Sequence, residues 1–248
     1  MPRALASRRI QLRTISQVIR FNGVSDSVSL GTLGAIAQTP AAFTLFARFK
    51  REALPAIMAM VGDLNNSAQN HVNFQVSPAR KLLTTLITTA GAKPLVGTNT
   101  VPFFAWCDGS FSYDGTTLRF YLNGLADNTT THSGTVTAST AGMALGNGSA
   151  PIGGALRYFL GGMCDVRFWT RALTQLENED LHFNGRNDAS IREGLAGEWL
   201  LAGNGNDTSG GGNNGTVNGS TYDSNDVPVK VRSMASSRVL ASARLVTT

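Results

Sequence analysis

Acidic side chains are the residues of this chain best suited to chemistry, because paired carboxylates can hydrolyse glycosidic bonds. The densest acidic run is Glu177-Asn178-Glu179-Asp180. Thr174 and Glu177 have the spacing of a capping box, which predicts that the run forms the first turns of a helix, where acids favour the helix dipole. No predicted strand offers two carboxylates on one face, about 5–5.5 Å apart, as retaining hydrolysis requires. The sequence therefore predicts no catalytic residue and a protein that is not an enzyme.

The histidines and cysteines suggest no reactive centre either. His71, His132 and His182 fall in separate stretches, without a partner at metal-ligand spacing. Cys107 and Cys164 are interpreted as buried thiols, although the sequence leaves open whether they pair. No segment approaches the ~20 consecutive apolar residues of a membrane-spanning helix. These observations point away from a metalloenzyme and from a membrane-spanning protein.

Hydrophobic alternation predicts that most of the chain forms β-strands. The stretch FTLFARFK (43–50) alternates, with Phe43, Leu45, Ala47 and Phe49 on one face, and HVNFQV (71–76) alternates in the same way. The stretch YDGTTLRFYLNG (113–124) predicts a strand between Asp-Gly and Asn-Gly turns. Only residues 174–185 predict a helix, which Gly185 would end. One short helix among many strands indicates an all-β fold, a two-sheet antiparallel jelly-roll sandwich.

Four stretches in the expected order resemble the laminin-G-like or concanavalin A-like lectin/glucanase jelly rolls. They cover an opening pair of strands, a Trp followed eight residues later by Asp-Gly, an Asp-Val-Arg strand before the helix, and a closing strand with its loop. These stretches are RFNGVSDSVSLG (20–31), WCDGSFSYDGTTLRFYLNG (106–124), GGMCDVRFWTRALT (161–174) and GLAGEWLLAGNGNDTSGGGNNGTVNG (194–219). The resemblance implies the same sandwich and a lectin-like body.

The resemblance also raises calcium binding, because relatives of this kind often bind Ca²⁺ through loop oxygens. Asp26, Asp165 and Asp207 fall in motif-matching positions and are weak candidates for ligands. The favoured alternative is structural: Asp26 and Asp207 would accept hydrogen bonds from their own turns, and Asp165 would anchor the start of a strand. No confident metal ligand and no cofactor are therefore expected, with Ca²⁺ left open.

Positive charge is concentrated at the two ends of the chain. Residues 1–20 and 229–248 hold nine basic residues and no acid. The other 12 of the 21 basic residues lie in residues 21–228 together with all 16 acids, which gives that segment a net charge of −4. We interpret the ends as assembly arms that dock on neighbouring subunits. The basic residues assigned to the arms are Arg3, Arg8, Arg9, Arg13, Lys230, Arg232, Arg238 and Arg244.

Two functional hypotheses follow. The first is a non-enzymatic structural or surface subunit of a larger assembly, of the virion or phage decoration type, with arms at 1–19 and 227–248 around a jelly-roll domain at 20–226. Its partners would be protein subunits in a homo- or hetero-oligomer, on a virion or extracellular surface particle made without a secretory signal. The alternative is a lectin-like, glycan-binding adhesion module. Nucleic acid is not expected as a partner, because the arms lack interleaved aromatic residues and dense basic runs.

Overall fold

The computed structural model describes residues 15–33, 41–52, 56–64, 72–136, 142–148, 156–185 and 189–228. The described residues form fifteen strands and two helices. The strands are β1 Val18–Asn22, β2 Ser27–Gly31, β3 Phe43–Arg51, β4 Met58–Asp63, β5 Asn73–Val76, β6 Leu82–Thr88, β7 Gly91–Val96, β8 Cys107–Tyr113, β9 Thr117–Leu122, β10 Leu125–Thr131, β11 Met143–Leu145, β12 Leu160–Trp169, β13 Leu195–Trp199, β14 Thr216–Asn218 and β15 Thr221–Asp223, and the helices are α1 Gln175–Asn184 and α2 Ala189–Arg192.

The strands form two antiparallel sheets. Sheet A has the order β10-β9-β8-β3-β12-β1-β15, with β13 also paired to β12. Sheet B has the order β14-β2-β11-β4-β5-β6-β7. Neighbours in space are often distant in the chain, as β3 and β12 show. The prediction of an all-β, two-sheet antiparallel jelly-roll sandwich is confirmed.

The core lies between the inner faces of the two sheets and follows the predicted alternation. In β3, Phe43, Leu45, Ala47 and Phe49 all belong to the main hydrophobic cluster. The ring of Phe43 stacks on that of Phe168 in β12, with centroids 5.9 Å apart. Because alternate residues of a strand face opposite ways, the intervening residues of β3 lie on the outer face of sheet A.

The turns that flank β9 use the predicted residues. Gly115 has a φ of 93°, and Asn123 and Gly124 have φ values of 52° and 79°. Two consecutive residues with positive φ fit a two-residue hairpin turn, for which Asn-Gly is strongly preferred. The two-residue turn joins β9 to β10 and confirms the local prediction.

The opening strands differ from the sequence-based expectation in their pairing. The predicted strand pair 20–31 becomes β1 and β2, but β1 lies in sheet A and β2 in sheet B. β1 also begins at Val18, and Val18 and Ile19 are fully buried. The first strand therefore includes two residues that the sequence assigned to the N-terminal arm.

Two helices cover part of the outer face of sheet A. α1 begins after Thr174 with the predicted capping box and ends at Gly185 in the left-handed conformation. The sequence predicted one helix, and the four-residue α2 is an addition. A second hydrophobic cluster joins both helices to the sheet; its buried members are Phe46, Trp169, Leu173, Leu181 and Ile191.

Neither of these helices has the length and apolar character that a membrane crossing requires, within the residues described.

Candidate functional site

The three aspartates proposed as weak calcium ligands all hold internal hydrogen bonds. Asp26 accepts from the Asn22 backbone N–H at 2.9 Å. Asp165 lies inside β12 rather than at its start, and its carboxylate receives Nε and Nη2 of Arg167 at 2.5 and 2.9 Å. Asp207 accepts backbone N–H groups of its own loop, including that of Ser209 at 2.8 Å. Burial alone would raise the pKa of Asp207, but these hydrogen bonds lower it below its ordinary value.

In the part of the chain that the structure describes, no three His, Cys, Asp or Glu side chains group as a metal site would need. Calcium binding at Asp26, Asp165 or Asp207 stays a prediction. The three carboxylates do not form one common group in the described structure. His71 lies outside the described residues. Cys107 and Cys164 are both buried, free thiols, as interpreted from the sequence.

Contacts within the fold engage Glu177, His132 and His182. Glu177 pairs with Arg171 at 2.7 Å. His182, in the last turns of α1, bonds through Nδ1 to the Asp108 carboxylate at 2.8 Å. His132 bonds through Nε2 to the Thr88 hydroxyl at 2.9 Å. The carboxylates of Glu177 and Asp108 are thus engaged in a helix cap and in ion pairs.

The eight basic residues assigned to the arms lie outside the described residues. They are Arg3, Arg8, Arg9, Arg13, Lys230, Arg232, Arg238 and Arg244. Close to the C-terminal boundary, Asp226 accepts from Arg20 at 2.9 Å and from the Trp106 indole at 3.3 Å, and it also contacts Lys50. These contacts fix the last described residues against the outer face of sheet A.

The outer face of sheet B carries a different arrangement. In β5, Phe74 belongs to the core, so Asn73 and Gln75 face outward. Both amides are nevertheless buried, with exposed fractions of 0% and 2%. Arg157 lies beside Gln75, and its Nη1 donates to Gln75 Oε1 at 2.8 Å. We call Asn73, Gln75 and Arg157 the amide–arginine patch.

Several polar atoms of this patch have no hydrogen-bond partner. Both Nδ2 and Oδ1 of Asn73 are unsatisfied, as is Nε2 of Gln75. Nearby, Asn147 precedes Gly148, and its buried Oδ1 is also unsatisfied. A buried amide that lacks a partner costs about 1–3 kcal/mol, which ordered water or a ligand would recover. The patch therefore has both donors and acceptors available.

Two glycines make room beside Asn73. A Cβ on Gly62 would lie 2.5 Å from the Gly148 Cα and 2.8 Å from Asn73 Oδ1. A Cβ on Gly148 would lie 2.9 Å from the Gly62 Cα. Side chains at these positions would crowd the Asn73 amide. The close backbone approach requires glycine at both positions.

Partly exposed side chains lie next to the patch on β6 and β7. Leu83 pairs with Gln75 across the sheet and with Val96 on the other side. Leu83 and Arg157 are half-buried, and Val96 is 45% exposed. An apolar strip next to amides and a guanidinium suits a ligand that has both C–H faces and hydroxyl groups.

The sequence contained a signal for part of this patch. HVNFQV predicted a strand, and two of its polar positions, Asn73 and Gln75, are amides that can both donate and accept. Nothing in the sequence placed Arg157 beside them, because 82 residues separate it from Gln75. Gln75 and Arg157 come together only in the folded protein.

Comparison with known families agrees with the fold. The family model described as the concanavalin A-like lectin/glucanases superfamily matches residues 22–177, which is more than half of the chain. A search of curated proteins finds no match.

Solved structures share the sandwich at low sequence identity. A candidate carbohydrate-binding protein of Bacteroides ovatus is 19% identical, with a TM-score of 0.66 over 90% of this chain and 63% of its own length. The CBM40 of a Ruminococcus gnavus IT-sialidase, bound to α2,3 sialyllactose, is 14% identical, with a TM-score of 0.53 over 68% of this chain and 99% of its own length. A SAP-like pentraxin of Limulus polyphemus is 16% identical, with a TM-score of 0.52 over 69% of this chain and 84% of its own length. At these identities the likeness shows the fold.

Proposed function

Since the chain belongs to the concanavalin A-like lectin/glucanases superfamily, we propose that it is a non-enzymatic, lectin-like protein that binds carbohydrate at the amide–arginine patch. The observation that carries this proposal is the set of unsatisfied amide atoms of Asn73 and Gln75 beside Arg157. Sugar hydroxyls both donate and accept hydrogen bonds, so they can satisfy donors and acceptors together. Leu83 and Val96 would contact the apolar face of a sugar ring.

The comparisons support this proposal in preference to the assembly hypothesis. One of the similar structures is described as a candidate carbohydrate-binding protein, and another is a CBM40 bound to α2,3 sialyllactose. None of the similar structures reported above is described as a virion or decoration protein. The assembly hypothesis depends on the arms, which lie outside the described residues, and it stays a prediction without support from the comparisons.

Removal of a single amide is expected to weaken saccharide binding about tenfold, which is the effect of ~1.4 kcal/mol. A glycan array with and without Ca²⁺ identifies a saccharide, and isothermal titration calorimetry then compares the wild type with the Asn73→Ala and Gln75→Ala variants. Ser110→Ala is the matched control, because the Ser110 hydroxyl is also buried and unsatisfied but faces outward from sheet A. The control should bind as the wild type does.

Two results would contradict the proposal. One is that the wild-type protein binds no glycan of a broad array, either with or without Ca²⁺. The other is a saccharide whose affinity survives both amide substitutions, because binding would then occur elsewhere on the molecule. The melting temperature of each variant, read by circular dichroism, separates lost binding from lost folding.

A further inference from the structure

Arg157 is held rigidly by backbone contacts on both of its sides. Its N–H donates to the Gly148 carbonyl at 2.8 Å, and its own carbonyl accepts from the Ala59 N–H at 3.2 Å. The side chain is fixed by the bond from Nη1 to Gln75 Oε1 at 2.8 Å. Nη1 is thus occupied, and the other edge of the guanidinium, Nε and Nη2, makes no hydrogen bond to a described residue.

This guanidinium has no carboxylate partner among the described residues. Burial lowers its pKa from the ordinary value, and no acid acts in the opposite direction. Several arginines of the described chain do contact an acid within salt-bridge distance, among them Arg20, Arg48, Arg119, Arg167, Arg171 and Arg192. A half-buried cation without a counter-ion is unfavourable, and a bound anion would relieve that cost.

No acid lies beside Arg157 among the residues that the structure describes. Its neighbours on the sheet are the neutral amides of Asn73 and Gln75, and Leu83 lies beside Gln75. The acid nearest to these residues along β4 is Asp63, next to Gly62. Strand alternation turns Asp63 away from the face that Gly62 shares with Asn73.

We propose that the amide–arginine patch selects a saccharide that carries a carboxylate, a uronic or a sialic acid, and that Arg157 is the group that receives this carboxylate. The Nε–Nη2 edge of a guanidinium matches the two oxygens of a carboxylate in a paired, planar geometry. Asn73 and Gln75 would bind hydroxyl groups of the same sugar. This inference rests on the proposed function and adds the charge of the ligand to it.

Calorimetry on the full chain tests the inference with paired probes. The acidic probes are 3′-sialyllactose and a galacturonate oligosaccharide, and their neutral counterparts are lactose and the methyl-esterified galacturonate oligosaccharide. We expect at least one acidic probe to bind about tenfold more tightly than its neutral counterpart. The probe that shows the preference identifies which class of acid is recognised.

Substitution of Arg157 should remove that preference. Arg157→Gln is expected to reduce affinity for the acidic probe about tenfold and to leave the neutral probe within about twofold. Arg157→Lys keeps the charge but loses the paired geometry, so its affinity should lie between those of the wild type and Arg157→Gln. Arg119→Gln is the matched control, because Arg119 lies on sheet A and already pairs with Asp114.

The outcomes separate this inference from the proposed function. Equal affinity for acidic and neutral probes, or stronger binding of a sulfated sugar, would overturn the inference and leave carbohydrate binding in place. Equal weakening of both probes by Arg157→Gln would do the same. Failure of the wild type to bind any saccharide would overturn both. The comparison of an acid with its ester uses the wild type, so it decides the matter even if a variant does not fold.

Discussion

The Asp108→Ala variant is expected to lose about 3–5 kcal/mol of unfolding free energy, because it leaves a buried cation without its partner. Asp108 in β8 accepts Nε and Nη2 of Arg48, both at 2.6 Å. It also receives His182 of α1 at 2.8 Å. The Asp108 side chain is 3% exposed. Urea denaturation followed by tryptophan fluorescence measures the loss.

The stabilising effect of Asp108 should depend on pH. Burial alone would raise its pKa, but attraction and hydrogen bonding from Arg48, with a further bond from His182, hold the pKa below the ordinary value. A lowered pKa means that the stabilisation is complete above the unfolded-state pKa of about 3.9 and is lost as pH falls through the folded-state pKa. The difference between wild type and Asp108→Ala should therefore narrow below about pH 4.

Arg119→Ala is a suitable control for the buried pair. Arg119 and Asp114 form an exposed pair, with side chains 36% and 30% exposed. Removal of such an exposed pair should cost about 0–1 kcal/mol. If Asp108→Ala cost no more than this control at pH 7, the network of Asp108, Arg48 and His182 would not contribute as the structure indicates.

Trp169→Ala is expected to destabilise the protein by about 3–5 kcal/mol, because it removes the centre of the second hydrophobic cluster. Trp169 is fully buried between sheet A and the two helices. Its indole N–H donates to the Ile191 carbonyl in α2 at 2.6 Å. The substitution leaves a cavity and removes this hydrogen bond. Thermal unfolding by circular dichroism and urea titration would both detect the loss.

Leu176→Ala provides the control on α1. Leu176 is 72% exposed, so its truncation should change the unfolding free energy by less than about 0.5 kcal/mol. An effect of Trp169→Ala as small as that of Leu176→Ala would show that α1 and α2 do not depend on this cluster.

Most of the fold could be predicted because it depends on local patterns. The alternation in residues 43–50 identified the inner face of β3, and the Asn-Gly pair identified the turn after β9. The capping box at Thr174 located the start of α1. In each case, neighbouring residues in the chain decide the geometry.

The candidate site depends on contacts between distant residues, which local patterns do not encode. The strands around Arg20 and Val28 adjoin in sequence but belong to different sheets. Gln75 and Arg157 meet across 82 residues, and Asp108 and His182 across 74. The aspartates chosen from motif positions proved to be engaged in internal hydrogen bonds, because the same turn chemistry that favours calcium ligands also favours self-capping.

The central claim is that a saccharide binds on the outer face of sheet B at Asn73, Gln75 and Arg157. Two-dimensional ¹H–¹⁵N NMR observes the side-chain amides of Asn73 and Gln75 and the Arg157 Nε–H directly during titration with the best saccharide from the array. We predict that these three signals show the largest shifts and that the Asn218 amide, on the exposed edge strand β14, stays unchanged. Shifts confined to residues outside the patch, with the Asn73, Gln75 and Arg157 signals unmoved, would contradict the account.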